Sequence, residues 1–138
     1  MPRELQIEAL ESAPNDFRRL LGPLPPEAYD WAEGGDTVNN ILKGLAERES
    51  ELLSRLTEIT GEYFKYRPPE PTLPAFERWL VMRATLCRWL RGLWPGVWNK
   101  QASFGTTLRR ELQITIEGDT EALERLMHVR QAWDERKQ

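Results

Sequence analysis

Cysteine and histidine are both scarce in this sequence, with one of each among 138 residues. The single cysteine, Cys87, cannot form an internal disulfide bond, and it lies in an apolar helical pattern that favours a buried, inert thiol. The single histidine, His128, lies near an apolar helical face, where a structural role is more common than metal ligation. The sequence therefore predicts no disulfide framework, and it assigns no chemistry to either side chain.

The sequence also lacks an excess of positive charge and any long apolar run. Its net charge is -3 and its pI is near 5.3, which gives no electrostatic reason to bind nucleic acid or an anionic membrane. No apolar stretch approaches the ~20 residues that span a bilayer, and the first residues contain no apolar segment for secretion. We therefore expect no nucleic acid, no membrane and a cytoplasmic location.

Proline and glycine fall in clusters that divide the chain into four amphipathic intervals. The first interval, 4–21, contains Pro14, which could kink a helix or restart it. The second interval begins at Thr37, whose hydroxyl can cap the first turn of a helix, and it runs to about Tyr63. Both intervals carry apolar residues at helical spacing, which predicts two amphipathic helices.

Two further helices are predicted in the second half of the chain. The third starts after Pro74 and ends before Pro95, because proline is tolerated at a helix start and disfavoured within a helix. The fourth runs from about Phe104 to Trp133. Around Gly118 its apolar face weakens, so a break into two helices is an alternative at that point.

The intervals show helical periodicity and no sustained alternation of apolar and polar residues, which predicts an all-α fold. A length of 138 residues suits a single domain, which we expect to span 1–138. Four amphipathic helices joined by loops predict a four-helix bundle with up-down-type packing and one long connection.

Charged residues interrupt the apolar stripes of two predicted helices. Glu49 lies near the centre of the second stripe, and Arg83 lies in the middle of the third. Because a buried unpaired charge is costly, we expect Glu49 and Arg83 to form an interior ion pair, which Asp119 could join. We favour a structural ion pair that fixes helix register, and the alternative is the polar floor of a ligand pocket.

The inward face of the last helix carries small side chains near its centre, at Thr115, Gly118 and Ala122. This loss of bulk could leave a mostly apolar cavity of the kind that binds small molecules. Close helix packing, or filling of the space by Trp98, would account for the pattern equally well. These four residues are therefore candidates for the lining of a pocket, and both alternatives stay open.

Tryptophan is abundant, with six residues in the chain. Trp79 and Trp94 fit the apolar stripe of the third helix, so we expect both in the core. Trp89 lies off that stripe and could face a partner subunit or a loop.

Two segments in the first half carry a recognisable pattern, residues 21–31 (LGPLPPEAYDW) and 37–49 (TVNNILKGLAERE), with two glycines between them. The matching residues of the second half are Arg83, Leu86, Leu90, Trp98, Gly105, Thr107, Leu108 and Asp119. Together these patterns resemble the DinB-like superfamily over nearly the whole chain. Where the family usually has Trp-Ser at the entry to helix two, this chain has Asp36 and Thr37.

The resemblance implies a metal site that this chain has lost. Family members commonly hold a divalent metal with three histidines, one on helix two and two, one turn apart, on the last helix. These positions correspond here to Gly44, Gly118 and Ala122, none of which offers a side-chain ligand. The resemblance therefore implies a degenerate metal site with no cofactor, and it also implies a homodimer.

Two functions fit these observations. The first is a non-catalytic binding or interaction protein that takes a small-molecule ligand. The second is a metal-independent transferase or isomerase that depends on a low-molecular-weight thiol and uses Glu49, Arg83 and Asp119 for proton transfer and anion binding. A closed, dry core around these three side chains would disfavour the enzyme, whereas a deep cleft that reaches them would favour it.

Overall fold

A computed structural model describes residues 1–60, 66–99 and 105–136, and it includes all side chains in these ranges except those of residues 57–60. Its helices are α1 (Arg3–Leu21), α2 (Val38–Thr60), α3 (Ala75–Gly92) and α4 (Leu108–Glu135), with short 3₁₀ helices at Pro26–Ala28 and Pro95–Asn99. The described ranges contain no strand beyond an isolated bridge between Glu33 and Asp36. The predicted all-α four-helix fold is confirmed.

Side-chain caps and prolines mark the helix starts. The Thr37 hydroxyl accepts a hydrogen bond from the Asn40 amide at 3.0 Å, as expected from the sequence. The Thr107 hydroxyl accepts from the Arg110 amide at 3.1 Å and caps α4 in the same way. Pro74 precedes α3, where a residue without an N–H group leaves no helix hydrogen bond unmade.

The helices run up, down, down and up in chain order. α1 and α4 are parallel to each other, and both are antiparallel to α2 and α3. The contacts that fix these directions are Gln6–Arg109 and Arg19–Arg130 between α1 and α4, Arg3–Leu93 and Phe17–Phe76 between α1 and α3, and Arg48–Gly118 and Arg55–Glu111 between α2 and α4. Alternation therefore holds for α1 and α2 and for α3 and α4, but α2 and α3 are parallel neighbours.

The parallel alignment of α2 and α3 accounts for the expected long connection, because the chain must return along the bundle before α3 begins. The described part of this connection packs on α3. The Tyr66 hydroxyl lies 3.2 Å from the Met82 sulfur, and Arg78 donates to the Pro71 carbonyl at 3.2 Å.

The core forms where the inward faces of the helices meet, since α1 and α2 each pack against both α3 and α4. Trp79 is fully buried, as predicted, and its ring makes an edge contact with Phe17 at a centroid distance of 5.1 Å. The largest apolar residues buried with them are Trp98, Ile7, Leu10, Ile41, Leu45, Leu53, Leu56 and Leu86.

Trp94 does not join this core, so the prediction for that residue is wrong. Its side chain is 81% exposed. α3 ends at Gly92. The helical spacing that predicted Trp94 on the apolar stripe therefore does not apply to this residue. Trp89 is partly buried against the core.

The two breaks considered within helices do not occur. Pro14 lies inside α1, and Gly118 lies inside α4, which is continuous from Leu108 to Glu135. A glycine within a helix costs about 1 kcal/mol relative to alanine, which tertiary packing readily offsets. The predicted end of the second helix at Tyr63 and the predicted start of the fourth at Phe104 lie outside the described residues.

None of the helices in the described part of the chain is long and apolar enough to cross a membrane.

Candidate functional site

A buried arginine lies at the centre of the bundle. Arg83 on α3 is 1% exposed, and its guanidinium donates to both carboxylate oxygens of Glu49 on α2. The distances are 2.7 Å from Nε to Oε2 and 2.9 Å from Nη2 to Oε1. Such a bidentate pair is among the stronger hydrogen-bonded arrangements in proteins. The predicted interior ion pair is confirmed.

Asp119 on α4 is a second carboxylate partner of the same guanidinium. Its Oδ2 accepts from Nη1 of Arg83 at 2.8 Å, and its Oδ1 accepts from Nη2 at 3.0 Å. Asp119 therefore faces inward within the continuous helix α4. The ion pair expected between two helices is in fact a group that joins α2, α3 and α4.

The group also includes a backbone carbonyl of α1. Nη1 of Arg83 donates to the Leu10 carbonyl at 3.0 Å. In a regular helix that carbonyl would accept from the amide of residue 14, but residue 14 is a proline and has no N–H group. Arg83 therefore supplies the hydrogen bond that Pro14 cannot make. We refer to Arg83, Glu49, Asp119 and the Leu10 carbonyl as the Arg83 cluster.

The guanidinium of Arg83 has no donor left for a ligand, because a guanidinium has five N–H groups and the cluster uses them all. Burial alone would lower the pKa of Arg83, but the charge of Glu49 and the hydrogen bonds to Glu49 and Asp119 raise it above its ordinary value. The ring of Trp79 lies 4.8 Å from the guanidinium carbon and adds a cation–π contact. The cluster thus contains one cation and two carboxylates.

A cleft of about 210 Å³ lies next to the cluster, between α2 and α4. Glu49 and Asp119 line it, whereas Arg83 does not. The other lining residues are Leu45, Arg48, Glu51, Leu52, Arg55, Glu111, Ile114, Thr115 and Gly118. We call this space the α2–α4 cleft.

The missing side chain at Gly118 leaves space that Arg48 occupies. A Cβ atom at Gly118 would lie 3.6 Å from the guanidinium carbon of Arg48, and Nη2 of Arg48 donates to the Gly118 carbonyl over 3.4 Å. A hydrogen bond of that length is weak. Within the described residues, Arg48 has no carboxylate partner.

Arg55 lies two turns further along α2, towards the other end of the cleft. Its Nη2 is 3.4 Å from Oε2 of Glu111 on α4. Because Arg55 is paired and Arg48 is not, the two arginines of the cleft differ in their availability to a ligand.

The predicted pocket residues are only partly brought together. Glu49, Thr115, Gly118 and Asp119 line the cleft, whereas Gly44 and Ala122 do not. The antiparallel contact between Arg48 and Gly118 places Gly44, one turn before Arg48, level with Ala122, one turn after Gly118. Gly44, Gly118 and Ala122 therefore lie on facing surfaces of α2 and α4.

Trp98 belongs to the core but packs near the starts of α1 and α4. Its buried indole N–H donates to the Gln6 side-chain oxygen at 2.6 Å, and the guanidinium of Arg3 lies 5.3 Å from its ring. It does not line the α2–α4 cleft. Trp98 is therefore not part of the candidate site. It does not fill the space beside Thr115, Gly118 and Ala122, which we call the small-residue zone of α4.

The remaining candidate side chains offer little chemistry. Cys87 is buried as predicted, and burial raises the pKa of its thiol to about 12, so the thiol is protonated at neutral pH. His128 is exposed on α4, with Nε2 3.9 Å from Oε1 of Glu33. In residues 1–60, 66–99 and 105–136, no three His, Cys, Asp or Glu side chains are grouped to hold a metal ion.

Two features of the site were not expected from the sequence. One is the Leu10 carbonyl, for which Pro14 four residues later is the available signal. The other is Arg48, which looks like an ordinary exposed helix charge. Its position beside Glu49 on α2, opposite a glycine of α4, is visible only when the helices are paired.

Comparisons with known proteins do not assign a function to this site. Searches against protein-family models, curated proteins and solved structures find no significant match. The resemblance to the DinB-like superfamily therefore depends on the sequence patterns, and the site must be interpreted from its own geometry.

Proposed function

We propose that this chain is a non-catalytic, DinB-like four-helix bundle that binds a small molecule in the α2–α4 cleft. The observation that supports this most directly is the cleft itself, because apolar and polar side chains converge there in a concave space. One of the three positions that the resemblance relates to the family's histidines, Gly118, lines the cleft, whereas Gly44 and Ala122 do not. In this proposal part of the lost metal site has become a ligand site.

The Arg83 cluster favours a non-catalytic protein over an enzyme. The alternative is a metal-independent, thiol-dependent transferase or isomerase, in which Arg83 binds an anion and Glu49 or Asp119 transfers a proton. Arg83 would have to break existing hydrogen bonds to bind an anion, since all its donors are used. Each carboxylate is likewise held in a bidentate contact with Arg83, which ties it to the junction of the helices.

A thermal-shift screen tests the proposed function. Small organic acids, amines and zwitterions are screened against the wild-type protein, and a compound that binds only the folded state raises the melting temperature. Gly118→Leu should abolish the shift, because the new side chain occupies the cleft. Gly92→Leu is the matched control. Gly92 is a helical glycine that does not line the cleft, and a Cβ atom there meets open space.

The outcome of this comparison is decisive for the cleft. A shift that survives Gly118→Leu would place the ligand elsewhere and contradict the proposal. A shift lost in both variants would reflect a general effect of leucine substitution.

We also propose that the protein forms a homodimer. The exposed Trp94 supports this, because aromatic residues are enriched at subunit interfaces. Size-exclusion chromatography with light scattering should give twice the chain mass of 16.1 kDa, and a monomer at micromolar concentration would contradict it. The cytoplasmic location and the absence of a nucleic acid partner stay predictions from the sequence.

A further inference from the structure

The floor of the α2–α4 cleft carries a net negative charge. Glu49 and Asp119 both line the cleft, and they share one buried cation, Arg83. That cation uses its full set of donors within the cluster, so one of the two negative charges is not balanced there. A cationic group in the cleft would balance it, and attraction is stronger at a partly desolvated site than in bulk water.

The rim of the same cleft carries a positive charge that is open to a ligand. Arg48 is exposed, and in the described part of the chain its guanidinium reaches only the Gly118 carbonyl, at 3.4 Å. A neutral acceptor at this distance holds a guanidinium weakly. A carboxylate in the cleft would form shorter, charge-assisted hydrogen bonds with Arg48.

The positive rim and the negative floor are close neighbours on both helices. Arg48 precedes Glu49 on α2, and Gly118 precedes Asp119 on α4. A ligand that contacts both charges must therefore carry its own opposite charges only a few bonds apart. The apolar walls, formed by Leu45, Leu52 and Ile114, leave space for an uncharged portion beside them.

The volume of the cleft limits the size of the ligand. Its 210 Å³ lies below the range of roughly 300–1,000 Å³ that is typical of sites for drug-sized molecules. A ligand of metabolite size fits this space better than a cofactor or a peptide.

We propose, on the basis of the proposed function, that the α2–α4 cleft binds a small zwitterion, an α-amino acid with an aliphatic side chain. Its ammonium group lies against Glu49 and Asp119, its carboxylate pairs with Arg48, and its side chain contacts the apolar walls. A ligand with only a negative charge meets the negative floor, and one with only a positive charge leaves Arg48 without a partner.

Three matched probes test this inference: L-leucine, isopentylamine, which lacks the carboxylate, and isocaproate, which lacks the ammonium group. Each is titrated into ¹⁵N-labelled protein at pH 7 and followed by NMR. The chemical shifts of the Arg48 and Gly118 backbone amides report binding in the cleft. We expect L-leucine to bind at least about tenfold more tightly than either probe with one charge, because each lost charge removes charge-assisted hydrogen bonds.

Substitution of Arg48 gives a second readout. Arg48→Gln should weaken L-leucine binding by about tenfold or more and leave isopentylamine unchanged, since only L-leucine has a carboxylate for Arg48 to bind. Arg110→Gln is the matched control, because Arg110 is an exposed helical arginine that does not line the cleft. It should change neither affinity.

The outcomes separate this inference from the proposed function. Binding of isopentylamine or isocaproate in the cleft as tightly as L-leucine overturns the zwitterion and leaves a small-molecule site. If Arg48→Gln and Arg110→Gln affect L-leucine equally, the role of Arg48 is also overturned. If no probe shifts the Arg48 and Gly118 amides and the wider screen finds no cleft ligand, both proposals fail.

Discussion

Replacing Arg83 with methionine would remove the one cation of the Arg83 cluster while keeping a long, apolar side chain in its place. The change leaves the Glu49 and Asp119 carboxylates facing each other in the interior, 2% and 6% exposed. It also leaves the Leu10 carbonyl without the hydrogen bond that Arg83 donates. We therefore expect a large loss of folding free energy from one substitution.

The size of the loss follows from how the buried carboxylates can become neutral. An unpaired carboxylate in an apolar interior takes up a proton, because burial of the charged form is more costly. A glutamate ionises near pH 4.3 in an unfolded chain, so adding one proton at pH 7 costs about 4 kcal/mol. The unpaired Leu10 carbonyl adds about 1–3 kcal/mol. Arg83→Met should therefore destabilise the protein by about 5–7 kcal/mol.

The stability of the variant should also depend on pH. At pH 7 its folded state binds one proton that the unfolded chain does not, so its stability rises as the pH falls. The slope is about 1.4 kcal/mol per pH unit for one proton, and it persists down to about pH 5. The stability difference between Arg83→Met and the wild type should accordingly shrink by about 2–3 kcal/mol between pH 7 and pH 5.

Urea denaturation followed by tryptophan fluorescence at both pH values measures these differences. Arg88→Met is the matched control, because Arg88 is exposed on the same helix and should lose less than about 0.5 kcal/mol. The triple variant Arg83→Met, Glu49→Met, Asp119→Leu should recover most of the loss, since no charge remains buried. A loss of unfolding free energy for Arg83→Met that is below about 1 kcal/mol, or that does not change with pH, would contradict the role assigned to the Arg83 cluster.

Three further predictions concern other parts of the bundle. Pro14→Ala should stabilise the Arg83→Met variant more than the wild type, by about 1–3 kcal/mol in urea denaturation, because the new amide can donate to the free Leu10 carbonyl. Equal gains in both backgrounds would contradict the proposed role of that carbonyl. Cys87 should react slowly with a thiol reagent at pH 8 and rapidly in denaturant, since burial raises the pKa of its thiol to about 12. Fast reaction of the native protein would show that the thiol is accessible. A histidine triad on the facing surfaces of α2 and α4 should create zinc or nickel affinity and metal-dependent heat stability, and no gain would contradict the correspondence with the DinB-like superfamily. Its substitutions are Gly44→His, Gly118→His and Ala122→His.

The features that could be predicted from the sequence have short-range or strongly penalised causes. Thr37 as a helix cap depends only on the neighbouring residues. The pairing of Glu49 with Arg83 is predictable because each interrupts an apolar stripe, and a bundle offers few ways to neutralise two buried charges. Asp119 lay at the edge of the small-residue zone, so its participation stayed an alternative until the register of α4 was known.

The features that were missed depend on where a helix ends or on how helices pair. Trp94 fits the spacing of α3, but the helix ends two residues before it, and end positions are the least certain part of a periodic pattern. The Leu10 carbonyl belongs to the backbone and leaves no trace in a pattern of side chains. Arg48 was missed because an exposed arginine on a helix is common, and its relation to Gly118 arises only from the antiparallel alignment of α2 and α4.

The parallel alignment of α1 and α4 restricts how the chain can be rearranged by circular permutation. The start of α1 and the end of α4 lie at opposite ends of the bundle, and α4 has 28 residues, which corresponds to a separation of about 42 Å. A linker between them needs at least about 12 residues in an extended conformation. A circular permutant with new termini in the connection between α2 and α3 would therefore not fold with a short linker, unlike domains whose two ends lie side by side.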